Sequence, residues 1–273
     1  MHRADAPDLR TLAERLAREA GTAALAGRRS MPVGQPIAHD TKSSATDPVT
    51  EFDRAAEAHI VAELRRLRPD DAIIGEEGAA QAGTSGIAWH IDPIDGTANF
   101  VYDLPAWCTS VAAVNAHGPI TDALAGAVYV PVTDEMFSAH RGGGATLNGA
   151  TIRASNAADV STALVGTGFS YLEDRRVIQA DRIRRLLPKL RDIRRLGSAA
   201  IDLAFVACGR LDAYFEEHLN SWDMAAGLLI AAEAGALVSD LDGGLPGEHA
   251  AIAAAPGLHR ALLLAIRDAS IST

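Results

Sequence analysis

Trp89-His90-Ile91-Asp92-Pro93-Ile94-Asp95-Gly96-Thr97-Ala98-Asn99-Phe100 is the stretch that organises the whole chain. An apolar strand runs into two aspartates three residues apart. Pro93 fixes one φ angle between them, and Gly96 permits a tight turn. Such a turn can aim both carboxylates and the Ile94 carbonyl at one point. Hard divalent cations take oxygen ligands of that kind. Thr97-Ala98-Asn99 can then open a short helix, whose N-terminus suits phosphate through free N–H groups and the helix dipole. Asp-Pro and Asp-Gly are also ordinary turn dipeptides. Taken alone, the segment is accounted for equally well as a turn with capping aspartates.

Around it the hydrophobic period changes twice. Leu9, Leu12, Leu16, Ala20 and Ala24 recur at helical spacing, which predicts an amphipathic helix over 8–28. Residues 29–48 carry Pro32, Gly34, Pro36 and Pro48 and read as a long loop, longer than expected over 29–41, of the kind that is usually functional or mobile. Thr50 and Asp53 resemble a capping box, and Ala55, Ile60, Leu64 and Leu67 continue as a second helix stopped by Pro69. Strands are predicted at 72–75 and 88–91, then at 107–117, 123–130 and 135–140, with turns at Gly118-Pro119, Pro131, Gly142-Gly143-Gly144 and Asn148-Gly149. Beyond residue 160 strands and helices alternate: strand 163–166, helices 175–189 and 198–209, strand 212–216, helix 222–235, strand 250–254 and helix 256–268. A run of strands followed by alternating elements predicts an α+β layered chain. We expect one domain over 1–273, with an N-terminal α+β half to about residue 155 and a C-terminal α/β half from about 156.

Composition narrows the function class. The 273 residues carry Lys+Arg 25 against Asp+Glu 35, or 25 − 35 = −10. With 48% hydrophobic and 22% charged residues, the chain is globular and not disordered. The acidic balance argues against direct nucleic-acid binding, which needs Lys and Arg clusters. It permits an anionic substrate, because a bound cation inverts the local field. Two cysteines, Cys108 and Cys208, make no disulfide framework and suit a reducing cytoplasm. The N-terminus reads as no signal peptide, and no apolar run reaches 18 residues, so no membrane span is expected.

Three further acidic positions bear on the central segment. Glu76-Glu77 ends an apolar strand within Gly75-Glu76-Glu77-Gly78. Asp47 and Asp53 flank Val49-Thr50, and Asp223 follows Trp222 at the start of an apolar helix. Asp223 taken alone reads as a partner of the helix dipole. Together these segments resemble the inositol monophosphatase family of magnesium-dependent phosphatases, over nearly the whole chain. Lys42-Ser43-Ser44, Asp47-Pro48-Val49-Thr50 and Asp53 resemble its first motif, Gly75-Glu76-Glu77 its second, and Asp92 to Phe100 its signature. Gly197-Ser198-Ala199-Ala200, Asp212-Ala213-Tyr214, Glu216, Trp222-Asp223-Met224-Ala225-Ala226-Gly227 and Glu233-Ala234-Gly235 resemble its C-terminal motifs.

The resemblance implies a layered αβαβα sugar-phosphatase fold and a Mg²⁺ site of two or three ions. Glu76, Asp92 and the Ile94 carbonyl resemble the ligands of a first ion. Asp92, Asp95 and Asp223 resemble those of a second, with Asp92 bridging, and Glu76 would hold a weaker third. Electrostatics agrees: carboxylates about 5 Å apart repel by roughly 3 kcal/mol per pair at an effective dielectric of 20. Gly96 and Thr97 resemble the backbone that grips phosphate, and the Asp53–Thr97 pair the one that orients or deprotonates the attacking water. Glu76, Asp53 and Thr97 are the catalytic residues so implied. Gly197, Ser198, Ala199 and Glu216, with Asp95 and Asp223, resemble the substrate pocket, and Lys42 a mobile loop over the metals. Water would attack in line, without a covalent phosphoenzyme. Lithium sensitivity and a homodimer are also implied.

Several signals remain weaker. The nine histidines form no HxH or HxxxH pair, so a zinc site is not expected. His90 reads as a packing variant, and both cysteines as core. Arg184-Arg185 and Arg194-Arg195 are either salt-bridged surface or contacts to substrate or a partner. The leading expectation is hydrolysis of myo-inositol monophosphate. Relatives with the same metal core act on histidinol phosphate, fructose 1,6-bisphosphate, NADP or 3′-phosphoadenosine phosphates. A regulatory protein that binds transcription machinery is the alternative of another class.

Overall fold

The computed structural model describes residues 5–32, 37–41 and 48–270. Lys42 and Asp47 of the first motif lie outside the described residues. Helix α1 (Ala6–Ser30) buries Leu9, Ala13, Leu16, Ala17, Ala20 and Ala24 along one stripe, as the helical spacing predicts. Arg29 and Ser30, expected in the loop, complete its last turn. Within that same expected loop, β1 (His39–Thr41) pairs antiparallel with β2 (Pro48–Thr50). Helix α2 (Glu51–Leu67) starts on Thr50, whose side chain and Asp53 exchange hydrogen bonds as a capping box.

The chain then builds β3 (Ala72–Gly75), β4 (Ala80–Gln81), β5 (Ile87–Asp95), the one-turn α3 (Thr97–Val101), β6 (Cys108–Asn115), β7 (Ala123–Val130), β8 (Glu135–His140), β9 (Ala145–Leu147) and β10 (Ala150–Thr151). These strands form one eight-stranded sheet, ordered β10-β9-β8-β7-β6-β5-β3-β4. Its pairs are antiparallel except β3 with β5. After it come β11 (Leu164–Thr167), α4 (Glu173–Leu186), β12 (Asp192–Arg194), α5 (Ala199–Ala207), β13 (Ala213–Glu217), α6 (Ser221–Glu233), β14 (Leu237–Ser239), β15 (Ala250–Ala254) and α7 (His259–Ser270). The second sheet has five strands, ordered β12-β11-β13-β15-β14.

Burial arranges these elements in five layers. Residues of α1 and α2 pack on one face of the large sheet, around Trp89, Val111 and Tyr129. Between the sheets lie α5 and α6, whose Leu203, Ala226 and Ile230 join Val128 and Phe137 on one side to Tyr214 and Ala253 on the other. Leu262 and Ile266 of α7 and Leu186 of α4 cover the outer face of the small sheet. Covered on both faces, β5, β6 and β7 read as near-continuous apolar runs instead of alternating. Gly126 of β7 lets α6 approach closely, since a Cβ there would stand 2.9 Å from the Ala226 Cα. The architecture is the α+β layered αβαβα arrangement expected.

Two parallel strand pairs position the site. β3 lies parallel to β5, and β11 parallel to β13. Ligands of α/β sheets gather at the carboxyl ends of parallel strands. Here those ends carry Glu76, Asp92, Ile94, Asp95, Thr167-Gly168 and Glu216, all on one pocket.

Candidate active site

Strand β5 ends in an irregularity that the spacing alone does not show. Residues three apart on a regular strand point to opposite faces. The register with β6 shifts between Asp92 and Asp95, so both carboxylates reach the same pocket. The Asp92 Oδ1 accepts from the Ile94 N–H at 3.1 Å, which tightens the bulge. Gly96 follows at φ 96°, a left-handed position that suits glycine. A Cβ there would also press within 2.9 Å of the Ala106 carbonyl. Thr97 then opens α3, as expected from the sequence.

The other carboxylates arrive from separate elements. Glu76 follows β3, and its N–H donates to the Ile91 carbonyl at 3.1 Å, which ties the turn to β5. Asp223 is the third residue of α6, and its Oδ2 accepts from the Asn220 N–H at 2.7 Å. It therefore caps its helix and lines the pocket at once. Asp53, fully buried, accepts from the Thr50 N–H at 2.8 Å and lies 3.2 Å from the Thr97 hydroxyl. The Thr97 hydroxyl is also 3.0 Å from the Ile94 carbonyl. The Asp95 Oδ2 accepts from the Ser198 hydroxyl at 2.6 Å and the Ala200 N–H at 2.7 Å.

Electrostatics binds these groups together. Burial pushes the Asp92 carboxyl well above the usual carboxylate range, and the charges of Glu76, Asp95 and Asp223 push it further. Asp223 is raised in the same way, by burial and then by Asp95 and Glu76. Burial lifts Asp95 to about 6 against the pull of its Ser198 and backbone hydrogen bonds. Burial lifts Glu216 to about 7, opposed by the Tyr214 hydroxyl, which donates to its Oε2 at 2.6 Å, and by Arg195. Buried acids whose charged forms disfavour one another are a field awaiting positive charge. Among the described residues no group of three or more His, Cys, Asp or Glu side chains is arranged as a ready metal cage. The donor set is nevertheless all oxygen and acidic, which fits Mg²⁺ and not a soft metal.

The pocket holds about 490 Å³. Glu76, Asp92, Ile94, Asp95 and Asp223 line it, as do Gly96 and Thr97. So do Gly197, Ser198, Ala199 and Glu216. Asp53 stands one residue back, behind Thr97. The two arginine pairs resolve differently. Arg184 and Arg185 both bridge to Asp181, and Arg194 bridges to Asp192. Arg195 lines the pocket. His90 is buried away from it, its Nδ1 2.8 Å from the Ser221 hydroxyl, and burial lowers it to about 4. Cys108 is core, whereas Cys208 is only half-buried.

Sequence reasoning missed Glu57 and Asp202. Glu57 is buried and accepts from the Glu77 and Ala79 N–H groups, each at 2.9 Å, so it holds the turn that presents Glu76. Asp202 lines the pocket from α5. Its signal was present: a lone carboxylate inside Ala199-Ala200-Ile201-Asp202-Leu203-Ala204.

The inositol monophosphatase family matches residues 5–272. An inositol-1-monophosphatase of Mycobacterium leprae is 44% identical, over 96% of this chain and 94% of its own. A Nus factor SuhB of Xylella fastidiosa is 46% identical over 75% of this chain and 73% of its own. The solved structure of Mycobacterium tuberculosis SuhB superposes with TM-score 0.80 at 40% identity, covering 97% of this chain and 98% of that one. The chain belongs to the inositol monophosphatase family. It is a phosphatase by that membership.

Proposed function

We propose that the chain is a Mg²⁺-dependent phosphomonoesterase acting on a small polyol phosphate, myo-inositol monophosphate foremost. The observation that carries this reading is the convergence of Glu76, Asp92, Asp95 and Asp223 on one pocket that also holds Glu216. Glu76, Asp92, the Ile94 carbonyl, Asp95 and Asp223 would hold two or three Mg²⁺, which supply an acidified water and charge to offset the phosphate.

The chain's own residues do the rest. Asp53 is locked by Thr50 and reaches the Thr97 hydroxyl, so this pair orients the attacking water and takes its proton. The Gly96-Thr97 turn fixes the phosphate against the carboxylates. Ser198 and the Ala200 N–H orient Asp95 by gripping one of its oxygens, leaving the other for the pocket. Glu216 accepts hydroxyls of the leaving alcohol. The carboxylates of Glu76, Asp92, Asp95 and Asp223 are taken up as metal ligands, so water attacks phosphorus directly.

The likeness to a protein named Nus factor SuhB supports a second reading, a partner of transcription machinery. The two are compatible, because the carboxylate set is complete. No helix among the described residues is long and apolar enough to cross a membrane. From the family resemblance we infer a cytosolic homodimer. The test is a panel of phosphomonoesters with Mg²⁺. Preferential release of phosphate from inositol monophosphate supports the proposal. A clear preference for histidinol phosphate or NADP would keep the chemistry and replace the substrate, and turnover of none would reject the phosphatase reading.

A further inference from the structure

Arg28 is a buried cation that none of the steps above uses. It ends the buried stripe of α1, which otherwise holds leucine, alanine and glycine, and it is 5% exposed. Burying a guanidinium is costly unless its N–H groups find acceptors. Its Nε donates to the Phe100 carbonyl at 3.2 Å, and its Nη2 lies 3.4 Å from the Asp103 Oδ2. Asp103 turns toward the same point from a left-handed backbone at φ 60°, and its N–H donates to the same carbonyl at 3.2 Å.

Phe100 belongs to α3, the single turn that opens with Thr97. A helix this short does not hold itself, since its first hydrogen bond fixes several residues at once. It is held from outside. The Asn99 amide donates to the Ala106 and Leu196 carbonyls at 2.6 and 2.8 Å. The Phe100 ring stands edge-on to Phe52 and Trp107, with ring centroids 5.5 and 4.9 Å away. Arg28 and Asp103 close the carbonyl end, where positive charge suits the last C=O groups.

The end of α1 touches both sides of the Asp53–Thr97 pair. Gly27 leaves room for Phe52, because a Cβ there would collide with its ring. Phe52 precedes Asp53 in α2. Arg28, the next residue of α1, holds Phe100, three residues after Thr97. Two consecutive residues thus seat the two elements whose side chains meet, the Thr97 hydroxyl 3.2 Å from the Asp53 Oδ1. We propose that Arg28 is a positioning residue, which keeps the Thr97 hydroxyl in register with Asp53 by holding α3 at its carbonyl end. The inference rests on the reading that this pair orients the attacking water. It adds a residue that does not line the pocket and on which that orientation depends.

The test is a double-mutant cycle on the Mg²⁺-loaded protein with inositol 1-phosphate. Arg28→Met keeps the apolar stem and removes the donors. Thr97→Val keeps the shape of the side chain and removes the hydroxyl. Arg28→Met should lower kcat about tenfold, as small misplacements do, with KM and the half-saturating Mg²⁺ concentration changed less than about twofold. In the Thr97→Val background the same substitution should lower kcat by less than about twofold, because the group it positions is gone. Arg28→Lys, which still offers an N–H to the carbonyl, should lose only about threefold. In metal-free Arg28→Met protein, amide exchange over residues 97–104 should quicken about tenfold and stay unchanged over β6 to β8.

Equal kcat losses with and without the Thr97 hydroxyl would make Arg28 merely structural and overturn the proposal. So would an unchanged kcat, a loss carried by KM or by Mg²⁺, or unchanged exchange over 97–104. If Arg28→Met does not fold, Arg28→Lys decides, since its loss must also vanish in the Thr97→Val background. A Thr97→Val protein as active as wild type fails the water-orienting role of the pair, and the proposal with it. A wild-type protein that releases phosphate from no phosphomonoester fails the phosphatase reading itself.

Discussion

Replacing Asp95 with Asn removes one charge from the pocket while keeping the side chain's shape. The Asp95 Oδ2 accepts from the Ser198 hydroxyl at 2.6 Å and the Ala200 N–H at 2.7 Å. An amide oxygen in that place keeps both bonds and turns its NH₂ toward the pocket. The folded protein holds Asp95 at about 6, against about 3.9 in an unfolded chain. The raised value means that the charged form opposes folding. Its cost is absent below the unfolded value, grows as pH rises from about 4 to about 6, and is constant above. Two pK units correspond to about 3 kcal/mol. Metal-free Asp95→Asn protein should therefore be up to about 3 kcal/mol more stable than wild type at pH 8 and equal to it near pH 4. Urea unfolding of chelator-treated samples across that range measures the difference. Mg²⁺ should then stabilise wild type more than the variant, whose turnover should fall more than about a hundredfold. A metal-free variant less stable than wild type at pH 8, or one retaining a tenth of wild-type turnover, would refute the reasoning.

Other outcomes follow from single contacts. Thr50→Ala removes the cap of α2 and the hydroxyl that donates to the Asp53 Oδ2, while the backbone N–H bond stays, so unfolding should be easier by about 1 kcal/mol, with turnover lowered as well. Gly96→Ala must hold a side chain at φ 96° against the Ala106 carbonyl, and should cost about 1–3 kcal/mol by the same unfolding measurement. Glu216→Gln should lower the preference for polyol phosphates over an aryl phosphate by about ten- to a hundredfold, read as a ratio of kcat/KM values.

Much of the site was legible because its residues are contiguous or locally patterned. Asp92 to Asn99 announces a strand, a kink and a helix start in one run. The Thr50–Asp53 capping box and the strands 123–130 and 135–140 follow from spacing and turn residues alone. What escaped depends on long-range pairing. Strands β12 and β14 have three residues each, too few for a period, and are held only by their neighbours. The bulge at Pro93-Ile94 exists only relative to β6. That Arg195 faces the pocket while Arg194 bridges to Asp192 is decided by the path of the chain after β12. Glu57 looks like any helix-surface acid until the turn at Glu77 folds onto it.

The central claim is that the carboxylate pocket works by holding Mg²⁺. Phosphate release from inositol monophosphate, measured as Mg²⁺ is returned to a chelator-stripped sample, tests it most directly. Turnover should be at background without the ion and rise saturably as it is added. Full turnover in the metal-free protein would contradict the account.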